Sequence, residues 1–232
     1  MTSQNAFVME HLPAGATVLP GRWVYSFKHG PDGGIKSYKA RYVAEGFNQQ
    51  YGIDFTETYA PTGRMPSLRA LMAFANHYDM DIIQIHITKA FLNGEVGEHQ
   101  VYLAQPEGYD DGTGNVWHLK KAIYGLKQAA RQWFAKLTAE LGCIYYTRST
   151  ADPALYVSTH HGHTCEKRRF VHSHVDDLTW IGHLVREDAK QLLQSFPGRY
   201  IGEAQHLLGL VIVRDKPSVL DHQRQGSLVH LL

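Results

Sequence analysis

The sequence predicts an α+β fold, an antiparallel sheet with helices packed on one face. Short β-forming runs bounded by turn residues recur along the chain, and a few longer segments carry helical spacing. The two kinds are mixed without a regular βαβ rhythm. At 232 residues the chain can bury a substantial core, as one large domain or two small lobes.

The elements follow in order. Residues up to about Gly21 are mixed, with a loop at Leu12-Pro13-Ala14-Gly15. Arg22 to Lys28 alternates and is rich in β-formers. Pro31-Asp32-Gly33-Gly34 is a turn, and Ile35 to Ala44 returns as the second strand of a hairpin carrying Lys36, Lys39 and Arg41. Gly46 to Pro66 reads as loop. A helix begins at Ser67 as N-cap, with Leu68, Leu71, Met72 and Ala75 on one face. Asp81 to Ile87 is a strand with Ile83, Ile85 and Ile87 on one side and Gln84 and His86 on the other. Phe91 to Gly94 is a turn, and Val101 to Leu103 and Val116 to Leu119 are short strands. Ala129 to Leu141 is a helix with Trp133, Phe134, Leu137 and Leu141 as its stripe and Gly142 as its stop. Leu155 to Ser158 leads into a His-rich loop, Glu187 to Ser195 is a helix, and Leu207 to Val213 a buried strand. The tail from Leu220 carries a final strand and a frayed helix start.

Composition narrows the classes. The net charge of +1 is unlike that of a strongly basic nucleic-acid binder, so any such site is a local patch. Two cysteines give no disulfide framework and point to a reducing compartment. There is no signal peptide, and the longest strongly apolar run, Leu207 to Val213, is far too short to span a bilayer. The expectation is a soluble cytoplasmic or nuclear protein with no membrane partner. Fifteen histidines are many for this length. The cluster His160, His161, His163 with Cys165 fits no familiar zinc spacing and reads as a solvated surface.

The most informative run is His174-Val175-Asp176-Asp177. It lies between the strand-like Phe170 to Val175 and the apolar Leu178 to Ile181, so both carboxylates fall at a hairpin turn. Adjacent carboxylates repel and are usually kept ionised by a cation, so the pair reads as half of a divalent-metal site. Taken alone, it is also an ordinary solvated turn.

Several segments, in order, resemble the reverse transcriptase of copia-type (pseudovirus) LTR retrotransposons. They are Arg22-Trp23-Val24, Tyr38 to Ala44, Gly52-Ile53-Asp54-Phe55, Glu57 to Pro61, Lys89-Ala90-Phe91-Leu92-Asn93-Gly94, Gln105 to Tyr109, Tyr124-Gly125-Leu126-Lys127-Gln128, Asp152-Pro153, His174 to Asp177, and Leu208-Gly209-Leu210. The set covers roughly residues 11 to 232, and its order makes it specific.

The resemblance implies a polymerase fingers-palm fold over residues 21 to 232 after a lead segment at 1 to 20, lacking thumb, connection and RNase H. It implies two Mg2+ or Mn2+ ions supporting attack of a primer hydroxyl on a nucleotide phosphate. Asp176 and Asp177 match two of the three metal-binding carboxylates. His86 occupies the position of the third, where the family has Asp. Imidazole is not an anion, and hard Mg2+ prefers oxygen, so severe loss of polymerase activity is expected. His174 stands where the family has Tyr, and Ala129-Ala130 where it often has Ser-Pro. Lys39 and Arg41 match residues that contact the incoming triphosphate. Phe91 matches the aromatic under the sugar, and Gln128 a nucleotide-pocket residue. The implied partners are an RNA or DNA template-primer, dNTP, and a partner supplying thumb or RNase H. Two other readings use the same residues: a non-catalytic nucleic-acid-binding or interaction module on that fold, and a hydrolytic His/Asp metal site.

Overall fold

The computed structural model describes residues 5–30, 33–159, 167–215 and 228–231. The chain divides into two compact units, one of residues 1–60 and 91–136, the other of residues 61–90 and 137–232.

In the first unit, β1 (Phe7–Glu10), β2 (Val18–Leu19), β6 (Tyr102–Leu103) and β7 (Val116–Leu119) form a sheet in the order β1-β7-β6-β2. Beside it, β3 (Gly21–His29) and β4 (Ile35–Ala44) make the expected long hairpin. The lead segment is not simply a loop. Phe7 pairs with Leu119 and stacks on Trp117 at 4.0 Å, while Val18 and Leu19 pair in parallel with Tyr102 and Leu103. Runs of two to four residues carry little periodicity, and distant partners order them. The core gathers Leu19, Tyr42, Leu92, Val101, Leu103, Leu119, Ile123 and Leu126. Gly125, at φ +97, lies against the backbone of Ala44, where a Cβ would meet the Ala44 carbonyl. Only glycine combines that φ with that approach.

The second unit holds a six-stranded antiparallel sheet in the order β12-β5-β11-β10-β9-β8. These are β5 (Asp81–Ile87), β8 (Tyr146–Arg148), β9 (Leu155–Ser158), β10 (Phe170–His174), β11 (Asp177–Gly182) and β12 (Gly198–Glu203). Interior strand β5 buries both Ile82 and Ile83, which point to opposite faces, so both faces are covered there. Helix α1 (Met65–His77) packs Leu68, Leu71, Met72 and Ala75 with Ile82 and Ile181. Helix α3 (Val185–Ser195) sits on the other face, where Tyr146 packs against Trp180 and its hydroxyl donates to Asp188 of α3 at 2.6 Å. The expectation of helices on one face is therefore corrected. An interior strand that buries an isoleucine on each side needs cover on both.

Three further differences have local causes. Helix α1 starts at Met65 with Pro66 in its first turn, and its N-cap residue, Arg64, supplies no side-chain cap. Asp152 caps it from a distance, accepting the Arg64 N–H at 3.1 Å and bonding to the Ser67 side chain. Helix α2 (Ala129–Cys143) buries Trp133, Leu137 and Leu141 as expected and runs one residue past Gly142. The run Leu207 to Val213 is a hairpin, β13 (His206–Leu207) and β14 (Leu210–Asp215), because Leu208 (φ 49) and Gly209 (φ 84) form a tight turn. Strand β15 (Leu228–Leu231) pairs with β14 and matches the final strand of the tail. The His160 to Cys165 cluster lies outside the described residues. Among the described residues, no helix is long and apolar enough to cross a membrane.

Candidate functional site

Pairing of His174 with Asp177 closes the β10–β11 hairpin with Val175 and Asp176 as its two-residue turn. Asp176 is in the turn, and Asp177 begins β11. Val175 takes φ +58, a left-handed conformation that a β-branched residue adopts only under constraint. One restraint is visible: the Ile87 N–H donates to the Asp176 carbonyl at 2.8 Å, fastening the turn to the end of β5.

Register brings the third residue in. Asp177 pairs directly with His86, so both side chains leave the same face of the sheet. His86 Nδ1 lies 3.0 Å from Asp177 Oδ1 and 4.0 Å from Asp176 Oδ2. Ligand atoms of His86, Asp176 and Asp177 all fall within 4.8 Å of one another. With ionised carboxylates, a proton on Nδ1 donates to Asp177. The site is open, with the His86 side chain 28% exposed. On the same row, β12 places the exposed Arg199 opposite His86, and β10 places His174 opposite Asp177. One His174 ring nitrogen, Nδ1, is buried without a hydrogen-bond partner.

One row deeper, the face stays polar and is sealed. His172 and Thr179 are each 1% exposed. His172 Nε2 donates to the Arg64 carbonyl at 3.3 Å, and burial lowers its pKa. Gly63 lies so close to this ring that a Cβ would overlap it. For Asp152, burial would raise the pKa, but bonds from Ser67 and from the Arg64 and Ala154 N–H groups, with His172 nearby, hold it below its ordinary value. Asp152, His172 and Gly63 thus form a buried brace between β10 and the start of α1. Sequence reading quoted Asp152 only as part of a motif and missed the other two, since their roles depend on remote contacts.

The remaining candidates lie in the first unit. Lys39 is exposed on β4 and pairs with Ser26. Arg41, two residues on, holds its guanidinium 5.7 Å from the Tyr124 ring centroid, and Phe91 packs on that same ring at 4.7 Å. Tyr124 therefore joins Arg41 to Phe91, a link its place in a motif did not reveal. Gln128 is 1% exposed. It donates to the Asp54 carbonyl and accepts from Gln49 Nε2, each at 2.9 Å, while Gln49 Oε1 accepts the Lys127 N–H at 2.7 Å. Its amide thus locks two loops together.

The donor set does not fit a pair of Mg2+ ions. Two carboxylates neutralise one divalent cation, and a single imidazole nitrogen cannot bridge two. Among the described residues no other group of three His, Cys, Asp or Glu is so placed.

Comparison with known proteins identifies the family. Residues 4–224 match the family described as reverse transcriptase (RNA-dependent DNA polymerase). The chain is 32% identical over 225 residues to the retrovirus-related Pol polyprotein from transposon TNT 1-94 of Nicotiana tabacum, covering 94% of this chain and 16% of that protein. It is 33% identical over 225 residues to the corresponding polyprotein from transposon RE1 of Arabidopsis thaliana, covering 95% and 15%. For transposon RE2 of the same plant, the identity is 32% over 223 residues, covering 93% and 15%. The chain thus spans about one sixth of these relatives' length. A carboxylate hairpin fastened to the strand that carries His86, the ordered motifs and a family match over nearly the whole chain lead to one conclusion: the chain belongs to the reverse transcriptase family, as the reverse transcriptase domain found in copia-type retrotransposon Pol polyproteins.

Proposed function

We propose that residues 21–232 form the fingers and palm of an RNA-directed DNA polymerase whose template-primed nucleotidyl transfer is severely impaired by His86. The observation that carries this is the convergence of His86 with Asp176 and Asp177 on one sheet face, with an imidazole where a third carboxylate is needed. In this reading Lys39 and Arg41 meet the triphosphate of dNTP, a task suited to their charge. Phe91 lies under the sugar, and Gln128 holds the pocket's loops in place. The template-primer is RNA or DNA.

Primer extension on an RNA template with Mg2+ or Mn2+ tests the reading, comparing the unaltered chain with His86→Asp. The expected outcome is extension by the variant at least 100-fold faster, on the order of 3 kcal/mol of restored charge stabilisation. Equal rates in the two proteins would remove His86 as the cause.

The β3–β4 hairpin favours a second reading, nucleic-acid binding without catalysis. Tyr25, Phe27 and Tyr38 are exposed on one face of the hairpin, and Arg22, Lys28, Lys39 and Arg41 lie on the other. The basic face suits the phosphates of a single strand. Filter binding of single-stranded RNA across a salt series separates the readings. Binding through this hairpin should weaken as salt rises, with the log–log slope falling by about 1.4 in the Lys39→Ala, Arg41→Ala double variant.

A further inference from the structure

We infer that His86, Asp176 and Asp177 form a site for one divalent transition-metal ion, selective against Mg2+. This deepens the polymerase reading and rests on the same three residues. Separation is the first argument. At a metal–ligand distance of about 2.1 Å, two ligands of one ion stand about 3.0 Å apart at right angles and about 4.2 Å apart when opposite. The observed 3.0 Å from His86 Nδ1 to Asp177 Oδ1, and 4.0 Å to Asp176 Oδ2, both lie within that span. A cation can take the place of the proton that His86 shares with Asp177, while the imidazole keeps its other nitrogen protonated.

Charge sets the number of ions. Two carboxylates balance one divalent cation, and a second would bring two uncompensated charges. Arg199, always cationic, stands on the same row opposite His86 and opposes that second ion. Donor type sets the identity. One nitrogen and carboxylate oxygens suit Mn2+, Co2+ or Zn2+, whereas Mg2+ prefers an all-oxygen shell and holds its waters.

The test is equilibrium binding of Mn2+ alone and Mg2+ alone to the full chain, followed by calorimetry and by the electron spin resonance of bound Mn2+. The unaltered chain should take up one Mn2+ at least tenfold more tightly than Mg2+, with nitrogen hyperfine coupling to the bound ion. His86→Ala should lose that coupling and at least tenfold in Mn2+ affinity. His86→Asp should lose the coupling, gain affinity for Mg2+ and admit a second ion. Circular dichroism of each variant separates loss of a ligand from loss of the fold. Two Mn2+ ions on the unaltered chain, equal affinity for Mg2+, or nitrogen coupling that survives His86→Ala would each overturn the inference, the last by pointing to the His160 to His163 tract. Primer extension reports separately. Extension by His86→Asp with no Mn2+ site in the unaltered chain sinks this inference and spares the polymerase reading, whereas a single Mn2+ site with no extension by the variant does the reverse.

Discussion

Burial makes His172 a pH-dependent residue. The sealed surroundings push its pKa below the ordinary 6.5, although the Arg64 carbonyl and Asp152 pull it upward. The ring is therefore neutral in the fold and gains a proton more readily in the unfolded chain. Its contribution to stability is complete above pH 6.5 and is lost as pH falls through the lowered value. Urea unfolding at pH 7.5 and pH 5 should show a loss of stability in acid that is shallower in His172→Leu. An unchanged slope in that variant would assign the loss to other groups. His86 stands apart from this, because its weight lies in what it replaces. From the sequence it is conspicuous through its register against Phe91, whereas His172 offers no such signal.

Among the elements, the helix cap and the hairpin turn carry the sharpest expectations. Asp152→Ala removes the cap of α1 and strands the Ala154 N–H, which the carboxylate accepts at 3.1 Å. The expected loss is about 2 kcal/mol, roughly 1 for the cap and 1 for the buried donor, read from urea unfolding. Asp152→Asn should keep most of it, since the amide oxygen still accepts. At the turn, Val175→Gly should stabilise the protein by about 1 kcal/mol, strain of about 1–3 relieved against about 0.5–1 of added chain entropy. Destabilisation there would mean that Val175 packing outweighs its φ. The strands β3, β4, β5 and β7 were legible because alternation and flanking turns mark them. Strands β1, β2, β8 and β12 were not, being short, irregular or ordered by partners distant in sequence. The remote cap is illegible for the same reason: Ser67 has the composition of a cap, but Asp152 has the position.

At the scale of the second unit, a buried ionic cluster ties the far strand of the sheet to its covering helix. Arg169 bonds Asp188 at 2.8 and 3.0 Å, and the Tyr146 hydroxyl donates to the same carboxylate. Burial, with Asp188 adjoining, pushes the Tyr146 phenol far above its usual range, so it stays a donor at every working pH. Asp188→Ala leaves the Arg169 guanidinium without its partner and should cost about 3–5 kcal/mol in thermal or urea unfolding, against about 1 for Tyr146→Phe. Equal small losses would mean that the cluster is solvated.

The sequence by itself determined the family, the long hairpins and the strand that carries His86, and it singled out the three residues that the fold brings together. Each of these is written in local order, as motif, alternation or spacing. Tertiary structure alone decided that helices cover both faces of the sheet, that Asp152 caps a distant helix, that Gln128 is spent on a buried amide network, and that His86 touches Asp177. These depend on strand register and on contacts between residues far apart in the chain. Alternation shows on which side of a strand His86 lies, but only pairing with β11 shows which carboxylate it meets.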